Sequence, residues 1–275
     1  MRGESFEGVE GFRAPLDPEG ICSRLQTERI GKKIHYLPEI DSSNIYARRR
    51  AEAGGEEGEI VIAEAQTHGR GRLGRRWVSP PYLNLYLSVI LRPKLPPHQA
   101  SQITLMSAVA LADTVQSFIP AAPEIKWPND IKVGGRKLAG VLTESSCDAD
   151  RVHFVILGIG VNVNFPLELM PESIRQSATS LMVLARKPVD RAEFVRQLIQ
   201  NLDQCYWELE ERGFSLMASR WENFFLLRGK RVRVEMPDQS VSGTAMGIDG
   251  EGALILQSEG GGLKRIVAGD VIPIE

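Results

Sequence analysis

The sequence predicts an α+β protein, with a mixed sheet and flanking helices over about 30–228 and a small β-barrel over 229–275. Three observations lead there. Apolar runs of strand length at Ile60–Ala65, Leu83–Leu91 and Val152–Val163 alternate with longer segments of helical period. The clearest helix, Asp190–Arg212, opens on a capping-box pair, Asp190 and Glu193. It repeats Phe194, Leu198, Leu202 and Leu209 on one face and stops at Gly213. Past about residue 229 come short strands divided by Pro237-Asp238, Asp249–Gly252 and Gly260–Gly262, the pattern of a small barrel.

Taken in order, residues 1–29 read as a loose tail to about 17 and a short helix over Pro18–Arg29, with Asp17 as N-cap. Ile34–Leu37 reads as a strand, and Ser43–Ala53 as a helix begun by Asp41 or Ser42 and closed by Gly54-Gly55. Ile60–Ala65 runs into a glycine-rich basic loop at 67–76, and Leu83–Leu91 is a second strong strand. His98–Phe118 reads as a helix through Ile103, Met106, Val109, Ala110 and Val115. Gly134-Gly135 between Ile131–Val133 and Lys137–Thr143 signals a hairpin. Val152–Val163 is apolar enough for a central strand buried on both faces. A further helix is expected at Leu216–Leu227, then strands at Lys230–Glu235, Ser240–Gly247, Ala253–Gln257 and Lys264–Val267.

Composition narrows the function. Lys plus Arg is 33 against 35 Asp plus Glu, a net charge of −2, which argues against a wholesale polyanion binder. Cys22, Cys147 and Cys205 stand far apart with no C-x-x-C pair, so no zinc ribbon or dithiol site is expected, and a reducing compartment suits them. His35, His68, His98 and His153 are scattered, and no metal ligand set is expected. Met1–Glu10 has no apolar run of signal-peptide length, and the least charged stretch, 103–123, is broken by polar residues. The expectation is a soluble, cytoplasmic protein.

Four stretches carry chemistry. Gly69–Trp77 packs three glycines and four arginines into nine residues: glycine lets backbone N–H groups approach an anion, and arginine adds permanent bidentate donors. A solvated basic turn is the plain alternative. Lys126-Trp127-Pro128-Asn129-Asp130, with Arg136–Gly140 after it, places two lysines that could neutralise phosphate, Lys126 and Lys137, near an acid, Asp130. A hairpin with exposed lysines would look the same. Gly158 and Gly160 inside an apolar strand mark close approach by a ligand or by another element. Asp41-Ser42-Ser43-Asn44 would by default only cap its helix.

Together, in order and spacing, these stretches resemble biotin–protein ligases over roughly 30–275. The family's Asp-Ser-Thr-Asn motif corresponds to Asp41–Asn44, and its Gln-x-x-Gly-Arg-Gly-Arg-x-Gly-Arg-x-Trp segment to Gln66–Trp77. Asn84–Ser88, the Lys-Trp-Pro-Asn-Asp signature at Lys126–Asp130, Arg136–Gly140 with Glu144 beyond, and Gly160–Asn164 follow in turn. Gly247–Asp249 and Gly252–Leu254 match in the terminal region. Two departures stand out. Ser43 replaces the usual Thr but keeps the hydroxyl, and Tyr82-Leu83 stands where small residues are common, so the loop after Pro81 is expected to close differently.

The resemblance implies a class II aminoacyl-tRNA synthetase/biotin ligase-like sheet and an SH3-like barrel. It also implies a two-step reaction. The biotin carboxylate attacks the α-phosphate of ATP to form biotinyl-5′-AMP and pyrophosphate, and a lysine of a biotin carboxyl carrier protein or domain then takes the biotin. Lys137, Arg72, Asp130 and Lys126 would carry the chemistry, helped by Mg²⁺, with Asp130 orienting or deprotonating the amine. Ser42, Ser43, Asn44 and Gln66 would meet the ureido head, and Gly158 and Gly160 would leave room for the rings. Trp77 would pack on the tail or the adenylate, and Asn162 would face adenine. Gly69, Arg70, Gly71, Asn129 and Gly140 complete the binding set. The 67–80 loop would close over the anhydride. With about 30 residues before the catalytic region, the short form without a DNA-binding domain is expected, and a homodimer is compatible. A lipoate or octanoate ligase of the same superfamily is the alternative. A biotin-sensing repressor would need an N-terminal reader helix, and a nucleic-acid binder is disfavoured by charge.

Overall fold

The computed structural model describes residues 14–274, so most of the expected tail lies outside them. Seven strands form one mixed sheet in the order β1-β2-β3-β7-β6-β5-β4. They are β1 Ile34–Ile40, β2 Ile60–Gln66, β3 Leu85–Leu91, β4 Glu124–Lys126, β5 Asp130–Val133, β6 Arg136–Cys147 and β7 Val152–Val161. Only β1 and β2 run parallel, joined through helix α2 (Ser43–Glu52), and every other pairing is antiparallel.

The period-two pleat explains the apolar runs. Val61, Ile90 and Ile156 point to one face, where Ala47 and Ala51 of α2 cover them. Ile60, Ile62, Val89, Leu91, Val155 and Leu157 point to the other. There they meet α3 (Ser101–Phe118), α6 (Arg191–Arg212) and α7 (Phe214–Asn223). With both faces covered, all seven residues of β3 are buried, as its unbroken hydrophobicity requires. Gly134 and Gly135, both at positive φ, make the tight β5–β6 turn.

Several boundaries differ from expectation. Helix α1 covers only Pro18–Cys22, capped by Asp17, because the chain beyond it is drawn out by a tertiary partner. The Asp203 carboxylate accepts from the backbone N–H groups of Glu28, Arg29 and Ile30 at 2.7, 2.9 and 2.7 Å. Pro97–Gln99 forms a separate 3₁₀ turn, so α3 starts at Ser101. Two short strands, β4 and β12 (Asp270–Pro273), and two short helices, α4 (Glu172–Arg175) and α5 (Leu181–Ala185), were not expected, each being five residues or fewer and too short to show a period.

The expected barrel is corrected to an open sheet. Strands β8 (Arg231–Glu235), β9 (Ser240–Ile248), β10 (Leu254–Gln257), β11 (Leu263–Ile266) and β12 form an antiparallel sheet in the order β11-β10-β9-β8-β12. No described residue pairs β11 with β12, so it does not close. Both edge strands have only four residues, and three of the four in β11 are exposed, leaving little surface to bury by closure. In β8, Val232 and Val234 alternate with exposed Arg231, Arg233 and Glu235, the signature of a sheet covered on one face. Among the described residues no helix is long and apolar enough to cross a membrane.

Candidate active site

A cavity of about 310 Å³ opens where β2, β6 and β7 meet the start of α2 and the arginine loop. Its floor begins at the turn from β1 into α2. Asp41 Oδ1 accepts from the N–H of Ser42 at 2.6 Å. Ser42 sits at the cap position but makes no side-chain bond to the helix, so the default capping role is not the one it fills. Its neighbours face the sheet instead. Gln66 Oε1, at the end of β2, accepts from the backbone N–H and the hydroxyl of Ser43 at 2.9 and 3.1 Å. Gln66 Nε2 donates to Ser79 Oγ at 3.0 Å, and Ser79 Oγ donates to the carbonyl of Trp77 at 3.1 Å. Asn44 Nδ2 donates to Glu144 Oε2 at 2.9 Å. Ser42, Ser43 and Asn44 are all buried, which polar groups tolerate only when bonded.

The two glycines of β7 admit protein groups. A Cβ on Gly158 would stand 2.1 Å from Asn44 Oδ1, and one on Gly160 would stand 2.6 Å from the Trp77 indole. The sequence reading left ligand and packing open. The structure puts the first glycine against α2 and the second beneath the loop tryptophan, and both still line the cavity.

The arginine loop folds back on itself as a narrow hairpin. Trp77 N–H donates to the Gly69 carbonyl at 2.9 Å and Gly71 N–H to the Arg75 carbonyl at 2.7 Å. A Cβ on Gly69 would collide with Trp77 O at 2.4 Å, so Gly69 serves this close backbone approach. Leu73, at the tip, has φ +54° and is 63% exposed. Tyr82, at the departure seen in the sequence, has φ +63°, the left-handed region where a small residue is easier to hold.

Four of the five cations facing the cavity, all but Arg76, lie within ion-pair distance of an acid. Arg70 pairs with Glu144 at 2.9 Å, and Lys137 Nζ with Asp130 Oδ1 at 2.7 Å. Arg72 donates to Asn129 Oδ1 at 2.7 Å and to the Gly269 carbonyl at 3.0 Å, and lies 3.8 Å from Asp270. Arg75 pairs with the same Asp270, and Arg76 donates to the Thr67 carbonyl at 2.8 Å. The Lys137 ammonium also sits 5.5 Å from the Trp77 ring centre. Gly140 leaves the space in which Asp130 and Lys137 meet, each 3.4 Å from where its Cβ would be. Burial pulls the Arg72 and Lys126 pKa values down, and in both cases Asp130 and Asp270 push back.

Ser42, Ser43, Asn44, Gln66, Arg70, Gly71, Arg72, Trp77, Asn129, Asp130, Lys137, Gly140, Gly158, Gly160 and Asn162 thus converge on one cavity. Two expected members do not line it. Gly69 is spent on the loop's own pairing, and Lys126 lies on β4 opposite Asp130, one strand behind the cavity wall. Asn162 lines the wall but spends its amide on the Thr179 carbonyl at 2.9 Å. Asp270 and the 174–178 segment were not foreseen, since nothing local marks a residue that arrives from a distant strand or turn. Glu144 was quoted in the motif but not assigned to the site.

The signature described as "Biotin/lipoate A/B protein ligase family" matches residues 36–162, and "Biotin protein ligase C terminal domain" matches 228–272. The biotin–[acetyl-CoA-carboxylase] ligase of Mycobacterium tuberculosis is 35% identical over 268 residues, covering 95% of this chain and 97% of that protein. The chain belongs to the biotin/lipoate protein ligase family. The bifunctional ligase/repressor BirA of Bacillus spizizenii is 35% identical over 256 residues, 93% of this chain and 78% of that protein. Among solved structures, the biotin protein ligase of Aquifex aeolicus in complex with biotin and ATP superposes with a TM-score of 0.76 at 28% identity. It covers 88% of this chain and 99% of that one.

Proposed function

We infer that this family member is a biotin–protein ligase: it activates biotin with ATP to biotinyl-5′-AMP and transfers the biotin to a lysine of a biotin carboxyl carrier protein or domain. One observation carries this reading. A single cavity is lined by buried hydroxyls and amides, by the cations Arg70, Arg72, Arg75 and Lys137, and by Val141, Leu142, Ile159 and Trp77. A ureido head, an aliphatic arm and an anionic end match those three kinds of lining. The relatives matched over nearly the whole chain are biotin ligases, and the superposed Aquifex aeolicus enzyme holds biotin and ATP, which favours biotin over a lipoyl group.

In the first step the biotin carboxylate attacks the α-phosphorus while the bond to pyrophosphate breaks. Both reactants are anions, so the work is charge neutralisation and alignment. Lys137 and Arg72 are the proposed electrostatic catalysts, their present acids being exchanged for the carboxylate and phosphate. Trp77 covers the tail and keeps water off the anhydride. In the second step the amine attacks the anhydride carbonyl and AMP leaves. Asp130, freed from Lys137, is the proposed group that orients the amine or takes its proton. Lys126 contributes a long-range positive potential from behind the wall. Among the described residues no group of three or more His, Cys, Asp or Glu could hold a metal, and Asp130 and Asp270 are both occupied by cations. The donor set offers no protein-built cage, so a Mg²⁺ ion would rest chiefly on the phosphates of ATP, with at most one or two carboxylates beside it, and would supply further charge neutralisation there.

The test is direct: incubate the protein with biotin, ATP, Mg²⁺ and a folded biotin carrier domain, and weigh the carrier. A biotin adduct on one lysine is the expected result, and an unmodified carrier would overturn the reading.

A further inference from the structure

We propose that Glu144 is a positioning residue that sets the direction of hydrogen bonding across the cavity floor and so keeps the Ser43 hydroxyl oxygen free to accept from the ligand. The proposal rests on the biotin reading above and assigns a role to a side chain that this reading did not use.

One proton on the cavity floor has two possible acceptors. Ser88, fully buried on β3, places Oγ 2.7 Å from Asn44 Oδ1 and 2.8 Å from Ser43 Oγ. Its single hydroxyl hydrogen can serve only one of them. Which one depends on how the Asn44 amide faces, and an amide faces whichever way its network demands. Glu144 decides it. An ionised carboxylate only accepts, so the Asn44 NH₂ turns to Glu144 Oε2 at 2.9 Å, and the amide oxygen is left facing Ser88. The Leu142 carbonyl, 3.4 Å from Asn44 Nδ2, agrees with that choice but is at the outer limit of a hydrogen bond.

The rest follows along the chain of bonds. The Ser88 proton goes to the Asn44 oxygen. Ser43 then receives nothing from Ser88, and its own proton serves either Ser88 Oγ at 2.8 Å or Gln66 Oε1 at 3.1 Å, so in both arrangements its oxygen accepts from neither. Ser43 Oγ lines the cavity with its lone pairs uncommitted, suited to a ligand N–H and not to a ligand carbonyl. With Asn44 turned over, the Ser88 proton would point at Ser43 and occupy that acceptor. The second oxygen of Glu144 holds Arg70 at 2.9 Å, so one carboxylate ties the floor to the arginine loop.

The test is a binding cycle in the full-length protein, with titration calorimetry of biotin and of biotin methylated at one or the other ureido nitrogen. Glu144→Leu, and Glu144→Met should the first fail to fold, is expected to weaken biotin about 10-fold, the scale of one misdirected hydrogen bond. Its preference for biotin over the methylated forms should shrink by a similar factor, a readout that a general loosening of the floor would not move. Ser88→Ala cuts the link between Asn44 and Ser43, so adding the Glu144 change to Ser88→Ala should cost almost nothing further. Unchanged biotin affinity, unchanged selectivity, or fully additive effects would each overturn the role of Glu144 while leaving the ligase reading intact. Failure of the unaltered protein to bind biotin would instead remove both.

Discussion

Lys137 shows how one residue gains its role from its neighbours. It follows a two-glycine turn on β6, so its backbone is fixed, and its ammonium is held between Asp130 and the Trp77 ring. Such a preorganised charge should matter most when two anions are brought together. Lys137→Ala is therefore expected to slow single-turnover formation of biotinyl-AMP by about 10²–10³-fold, with a much smaller loss of biotin affinity measured without ATP. Lys137→Arg should restore only part, since a planar fork does not fill the place of an ammonium. A rate equal to that of the unaltered protein would refute the assignment. Gly158 makes the complementary case, a residue needed for what it lacks. Gly158→Ala drives a methyl group into Asn44 Oδ1 and should cost about 1–3 kcal/mol in chemical denaturation, together with a loss of biotin binding. Stability and binding both unchanged would show that α2 can retreat.

At the scale of elements, the β1–α2–β2 unit is pinned by a carboxylate as well as by its apolar face. Glu59, just before β2, is 3% exposed and bonds His35 on β1 at 2.8 Å, Lys33 at 3.3 Å and Arg50 on α2 at 3.3 Å. Burial alone would raise its pKa. The bonds from His35, the Glu56 N–H, Lys33 and Arg50 outweigh it and bring the carboxyl from 4.5 to about 2. Its contribution to stability is thus complete above about pH 4.5 and disappears as the pH falls towards 2. Unfolding followed from pH 6 to 2 should show a drop in this window that Glu59→Gln flattens. An unaltered acid limb in that variant would refute the assignment. This unit was largely legible beforehand: the helix bounded by Gly54-Gly55 and the apolar run Ile60–Ala65 are local signals. The early end of α1 was not, because Asp203 of α6 takes up the N–H groups of Glu28–Ile30 across 173–175 residues of sequence.

Across the whole molecule, the two sheets meet at the mouth of the cavity. Trp127 Nε1 donates to the Gly252 carbonyl at 3.1 Å, and Asp270, at the start of β12, receives Arg72 and Arg75 from the loop. The C-terminal sheet therefore helps hold the arginine loop against a cavity built by the other sheet. Asp270→Ala should leave the fold in place, release both arginines and shorten the lifetime of bound biotinyl-AMP several-fold, consistent with 1–3 kcal/mol for a charged hydrogen bond left unpaired. Stopped-flow measurement of adenylate release tests this, and an unchanged off-rate would mean the loop closes without that anchor.

By itself the sequence determined the class of the fold, the order of its strong elements and the motif residues that the structure brings to one cavity, but not the apolar walls, the 174–178 segment or Asp270. The reason is that period, turn glycines and contiguous motifs such as Gln66–Trp77 and Lys126–Asp130 are written in neighbouring residues. Tertiary structure alone decided which acid each cation holds, that Gly158 and Gly160 admit Asn44 and Trp77, that the terminal sheet stays open and that Lys126 stands back from the cavity. Those facts depend on distances between segments far apart in the chain. Arg72 and Asp270, separated by 198 positions, meet only once both sheets are packed, and no local pattern can encode such a meeting.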